Sequence, residues 1–134
     1  MREHEATIVE QLEAALGDEV QAIYLFGSRG RNDARTDSDW DVALLSSRRL
    51  DPVERWHLQE RIASALSSDV DLVDLRTASA VMRVQVLKDG RLLADPQPQR
   101  RAEFEVFALS DYARLQEERR EILADASRPG WLDG

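Results

Sequence analysis

Asp39 and Asp41 stand one residue apart in DSDWDVALL (residues 37–45), and a Gly-Ser pair, Gly27-Ser28, precedes them in YLFGSRGRN (residues 24–32). If residues 39–45 form a strand, both carboxylates point to one face, because strand side chains alternate with period two. Two ionised carboxylates that close repel each other, and a hard divalent cation such as magnesium relieves the repulsion through oxygen ligands. Trp40, between them, must face the other way, into packing beneath the sheet. The alternative for Asp-Trp-Asp alone is an edge strand blunted by charge. Gly27 ends an apolar run, and Ser28 opens a segment that can turn helical. Backbone N–H groups at such a start, with a serine hydroxyl, suit a phosphate, and a glycine lets the backbone approach it. By itself Gly-Ser is also an ordinary turn. Together the pairs spell Gly-Ser, ten residues, Asp-x-Asp, a pattern expected by chance about once in 200 chains of this composition.

Elements that can position these groups follow from the hydrophobic periodicity. Ile8, Leu12, Ala15 and Leu16 predict a helix over 3–16, stopped at Gly17. VQAIYLF (20–26) reads as a strand, as does DWDVALL (39–45). Asp51, Pro52 and Glu54 are a helix start, and Leu58, Ile62, Ala65 and Leu66 give that helix a buried stripe. DVDLVDL (69–75) is a third strand. A helix over 79–87 ends at KDG, and RLLA forms a short fourth strand. After DPQP, a long helix runs from 100 to 126, with Phe104, Ala108, Tyr112, Leu115 and Ile122 near one face. Strands interleaved with helices predict an α/β (α+β) fold around a small mixed β-sheet.

Composition narrows the function. The 134-residue chain, 43% hydrophobic and 33% charged, can bury a core of its own. A net charge of -8 argues against general nucleic-acid binding, which relies on cationic surface. The absence of cysteine excludes disulfides and thiolate metal sites. No apolar stretch approaches the length of a membrane span, and the N-terminus has no signal-peptide core, so a cytoplasmic protein is expected. Of the 18 basic residues only Lys88 is a lysine, and it lies outside any glycine-rich loop, which removes a lysine-dependent phosphate loop. His4 and His57 have no second ligand at metal spacing and are expected at the surface.

With these motifs in place, the chain resembles the minimal nucleotidyltransferases of the polymerase-β superfamily, and within them the MNT antitoxins encoded beside HEPN-domain toxins. The leading helix, YLFGSRGR, DSDWDVALL, VDLVDL, RLLA and the C-terminal helix fall in the family's order. Members usually read Gly-Ser-x-Ala-Arg-Gly. Here Gly30 occupies the alanine position and Asn32 the second glycine, while Arg31 matches the family arginine.

The resemblance implies one nucleotidyltransferase domain over 1–126, with 127–134 as a C-terminal tail. It implies transfer of AMP from ATP to a tyrosine hydroxyl near the RNase site of a partner HEPN toxin, which inactivates the toxin. Asp39, Asp41 and a third acid are then both the catalytic and the metal-binding residues, holding two Mg2+ ions. Of Asp71 and Asp74, which face opposite sides of their strand, Asp71 precedes Leu-Val as the family's third acid does; Asp74 would then be a strand-end acid in solvent. Asp33 and Asp37 read as solvated turn residues. Gly27, Ser28 and Arg31 bind the nucleotide, and Arg31 or Arg29 offsets charge in the transition state. Two other functions fit the same pattern: an antitoxin that neutralises by complex formation without catalysis, and a nucleotidyltransferase acting on a small molecule such as an antibiotic.

Overall fold

A computed structural model describes residues 2–30 and 39–126. Helix α1 (Arg2–Leu16) leads through a 3-10 turn at Gly17–Glu19 into β1 (Val20–Phe26). A single helical turn, α2 (Gly27–Gly30), follows β1, and β2 spans Trp40–Ser46. Then come α3 (Pro52–Leu66), β3 (Val70–Asp74), α4 (Ala80–Asp89), β4 (Arg91–Ala94) and α5 (Pro98–Ala126). Each element predicted above is present, with ends displaced by at most two residues.

Local chemistry accounts for several boundaries. The Asp51 carboxylate accepts a hydrogen bond from Val53 N–H, and Pro52 needs no donor at the first helical position of α3. Ser79 caps α4 through its hydroxyl, which accepts from Met82 N–H at 3.1 Å.

The four strands lie in the order β3-β2-β1-β4, with β2 and β3 parallel and the other two pairs antiparallel. All seven residues of β1 are buried, so this strand is the spine of the sheet. One face packs Ile23, Leu25, Trp40, Val42, Leu44 and Leu72 against Ile8 and Leu12 of α1 and Leu58 and Ile62 of α3. The other packs Ala22, Tyr24, Phe26, Ala43 and Leu45 against Val86 of α4 and Phe104 and Ala108 of α5. Alternation along β2 therefore turns Trp40 toward the first layer and Asp41 toward the second. Trp40 is only 2% exposed, as its position between two acids predicted.

The apolar line on α5 is used only in its first half. Phe104 and Ala108 are buried, whereas Leu115 and Ile122 are exposed.

Candidate active site

The register fixes the geometry. Phe26, the last residue of β1, stands opposite Asp41, and Asp41 stands opposite Asp71 of β3. Asp39 lies immediately before β2. The chain thus turns through Gly27 beside the Asp41 carboxylate, with Asp71 on the neighbouring strand. All of this sits at the end of the sheet where β1 finishes and β2 and β3 begin.

Gly27 has φ +64°, a left-handed conformation that side chains disfavour. A β-carbon there would overlap Asp41 Oδ2 and stand 3.2 Å from the carboxyl carbon. The glycine is thus required twice, by its backbone angle and by the carboxylate that occupies the space a side chain would take. Ser28 follows in the turn. Gly30, at the position where the family usually has alanine, packs so that a β-carbon would stand 2.6 Å from the Leu25 carbonyl oxygen. Arg31 and Asn32 lie outside the described residues, as do Asp33 and Asp37.

Electrostatics mark Asp41 as the strained member. Its carboxyl is pushed above the ordinary aspartate range, first by burial, then by the charge of Asp71, then by that of Asp39. A cation beside Asp41 would offset the cost that burial and its two neighbouring carboxylates place on its charge. Among the described residues no three acids or histidines form a preformed metal cage. Magnesium binds through one or two carboxylates and completes its shell with water and substrate phosphates. The oxygen-only donor set fits it.

Asp71 is exposed and in line with Asp41; Asp74 is neither. The expectation that Asp74 is a solvated strand-end acid is corrected: it is 2% exposed and structural. Its Oδ2 accepts from Leu50 N–H at 2.8 Å and its Oδ1 from Arg76 N–H at 2.9 Å. It thereby ties the loop before α3 to the end of β3. The Oδ1 bond spans two residues, an Asx turn of the kind aspartate often makes, and that local signal was readable in the sequence.

Arg29, offered with Arg31 as a countercharge, is 5% exposed, and its guanidinium carbon lies 3.9 Å from the Trp40 ring centroid. The His4 ring is 5.5 Å from the same indole. Arg29 therefore contacts, from the α2 turn, the buried side of β2, the strand that carries Asp41, in a cation–π contact. Nothing in Gly-Ser-Arg-Gly distinguishes such an arginine from one aimed at a ligand. His4 and His57 are exposed, as expected.

Asp39 also borders a groove of about 520 Å³ with Glu60, Ser64, Ser67 and Asp69 at the C-terminal end of α3. A larger cleft, about 720 Å³, lies at the opposite end of the sheet and shares no residue with the carboxylate site. Size does not locate the chemistry here; the acids and the turn do.

Comparison with known proteins agrees with this geometry. The sequence profile of the family described as Polymerase beta, Nucleotidyltransferase matches residues 7–99. The chain is 46% identical over 106 residues to Protein adenylyltransferase MntA of Shewanella oneidensis, a match covering 79% of this chain and 76% of that protein. Its fold is similar to a chain in a crystal structure of a toxin–antitoxin with AMP-PNP, with TM-score 0.80, 41% identity, and 92% of this chain and 98% of that one covered. It is also similar to a chain in a structure of tri-AMPylated Shewanella oneidensis HEPN toxin in complex with MNT antitoxin. That match has TM-score 0.78 and 40% identity, and covers 96% of this chain and all of the other.

Proposed function

This chain belongs to the polymerase β nucleotidyltransferase family, and from that premise we propose that it is a protein adenylyltransferase acting as an antitoxin. It transfers AMP from ATP to a tyrosine hydroxyl of a HEPN-domain RNase toxin and so silences the toxin. The observation that carries the chemistry is the meeting of Asp39, Asp41 and Asp71 with the Gly27-Ser28 turn at one end of the sheet. The toxin as acceptor is supported by likeness over 96% of the chain to a structure that contains an AMPylated HEPN toxin with its antitoxin. The transferase domain is residues 1–126, and the protein works in the cytoplasm.

In this reading Asp39, Asp41 and Asp71 would hold two Mg2+ ions. When bound, Mg2+ supplies positive charge to the leaving pyrophosphate and makes the attacking hydroxyl more acidic. Gly27 lets the backbone lie against the triphosphate, while Ser28 and the N–H groups of the turn donate to its phosphate oxygens. The tyrosine oxygen forms its bond to the α-phosphorus as the bond to the bridging oxygen breaks and pyrophosphate departs. Asp71, exposed and opposite Asp41 on the neighbouring strand, takes the hydroxyl proton. Arg31 offsets charge that builds on the phosphoryl oxygens. Most of the rate gain comes from positioning and electrostatics.

The test uses ATP labelled at the α-phosphate, Mg2+ and a HEPN-domain RNase toxin. Label that stays on the toxin through denaturing separation, and is absent with Asp41→Asn, supports the proposal. Toxin without label despite a folded antitoxin overturns it.

A further inference from the structure

The 720 Å³ cleft at the far end of the sheet is cationic in a chain whose net charge is -8, and the transfer reaction makes no use of it. It is lined by Arg48, Arg49, Arg76 and Arg100 together with Phe104 and Phe107. A seven-residue β2 separates it from the carboxylate end by roughly 20 Å.

The four arginines are not equivalent. Arg48 is committed to Glu19 and Glu54, at 3.0 and 2.8 Å. Arg76 is held by neutral acceptors, its Nε donating to the Ser46 carbonyl and its Nη2 to Gln21 Oε1. Among the described residues its Nη1 has no hydrogen-bond acceptor, and its guanidinium contacts no carboxylate. Burial pulls its pKa down against the opposing pull of the Asp74 charge, so an anion beside it would further stabilise the cation. Arg49 is exposed and has no carboxylate partner among the described residues, and Arg100 has only Glu103, at 3.7 Å. The cleft's own acids, Asp18 and Glu103, are fewer than its arginines. Phe107 is 53% exposed, with the Arg83 guanidinium carbon 5.6 Å from its ring centroid.

We propose that this cleft binds a free mononucleotide without metal, its phosphate on Arg49, Arg76 and Arg100 and its base on Phe107. Guanidinium groups match phosphate oxygens in geometry as well as charge. Aromatic faces accept any base by stacking. A cleft of this volume falls in the range of small-ligand pockets, about 300–1,000 Å³. The strongly acidic remainder of the chain disfavours an extended nucleic acid at the same place. The chain would then carry two nucleotide sites of opposite design, one built from acids and metal and the other from arginines alone.

Calorimetry with AMP in EDTA, on the full chain carrying Asp41→Asn, reads this second site independently of transfer. One AMP should bind per chain. Arg49→Ser with Arg100→Ser should weaken it at least tenfold. Phe107→Ser should weaken AMP several-fold and leave inorganic phosphate unchanged. All three substituted residues are exposed, and circular dichroism checks that the fold is kept. Absence of AMP binding in EDTA overturns the proposal. So does binding indifferent to the arginine changes, equal loss of AMP and phosphate in Phe107→Ser, or a single-stranded oligonucleotide binding more tightly than AMP.

Discussion

Gly27→Ala puts the site's geometry under direct test, because two separate penalties meet at that position. The first is conformational: at φ +64° a β-carbon costs about 1–2 kcal/mol. The second is steric, since the new methyl overlaps Asp41 Oδ2. Restoring an ordinary contact of about 3.5 Å requires the carboxylate to retreat by roughly 1 Å. A displacement of that size in a metal-binding, reacting centre costs on the order of a hundredfold in rate. Gly17→Ala is the matched control. Gly17 has φ +55°, yet nothing lies within 4 Å of its absent β-carbon, so only the first penalty applies. Gly17→Ala should melt several degrees below the parent and Gly27→Ala at least as far below. Only Gly27→Ala should lose AMP transfer, measured as initial rate at saturating ATP and toxin. Equal transfer rates in the two variants would refute the reasoning, since the steric contact would then have no bearing on chemistry.

Three further outcomes are expected. Asp71→Asn should abolish transfer with an unchanged melting temperature, whereas Asp74→Asn should cost about 1–3 kcal/mol of stability in urea unfolding through its two buried backbone partners. The raised pKa of Asp41 means that its charge destabilises the metal-free native state above that pKa and ceases to do so below it. Asp41→Asn should therefore melt higher than the parent at pH 7, by a margin that shrinks as pH falls through the folded-state pKa, while losing transfer by a hundredfold or more. Glu5 is held below the usual glutamate range by its paired hydrogen bonds from Arg91, at 2.9 and 2.8 Å, which tie α1 to β4. That stability exists above the unfolded-state pKa and is lost as pH falls through the folded one, so Glu5→Gln should cost about 0.5–1 kcal/mol at pH 7 and nothing once Glu5 is protonated in both states.

What the sequence disclosed, and what it withheld, divides along the range of the interactions. Asp51-Pro52 and Ser79 placed two helix starts because capping is decided within three residues. Period-two alternation turned Trp40 inward and Asp41 outward before any fold was known. Asp41 and Asp71 meet through the parallel register of β2 and β3, which alternation alone does not give. The contact between Gly27 and Asp41 was not legible, because it depends on Phe26 pairing with Asp41 across an antiparallel register. For Asp74 the local turn to Arg76 N–H was readable, but the bond from Leu50 N–H, 24 residues away, was not. The contact of Arg29 with an indole on the next strand was not legible for a similar reason. The apolar line of α5 was read correctly as a line, but periodicity does not reveal where the underlying body ends, and Leu115 and Ile122 lie past that point.

Intact-mass spectrometry of the toxin, after treatment with one antitoxin per ten toxins in the presence of ATP and Mg2+ and then complete removal of the antitoxin, tests the central claim most directly. A catalyst leaves every toxin heavier by one or more AMP units and without RNase activity, although the antitoxin was substoichiometric. An antitoxin acting by occupancy silences at most the fraction it binds, and the toxin regains activity once freed. Toxin that is fully silenced but unchanged in mass, or that recovers on removal of the antitoxin, would contradict the account.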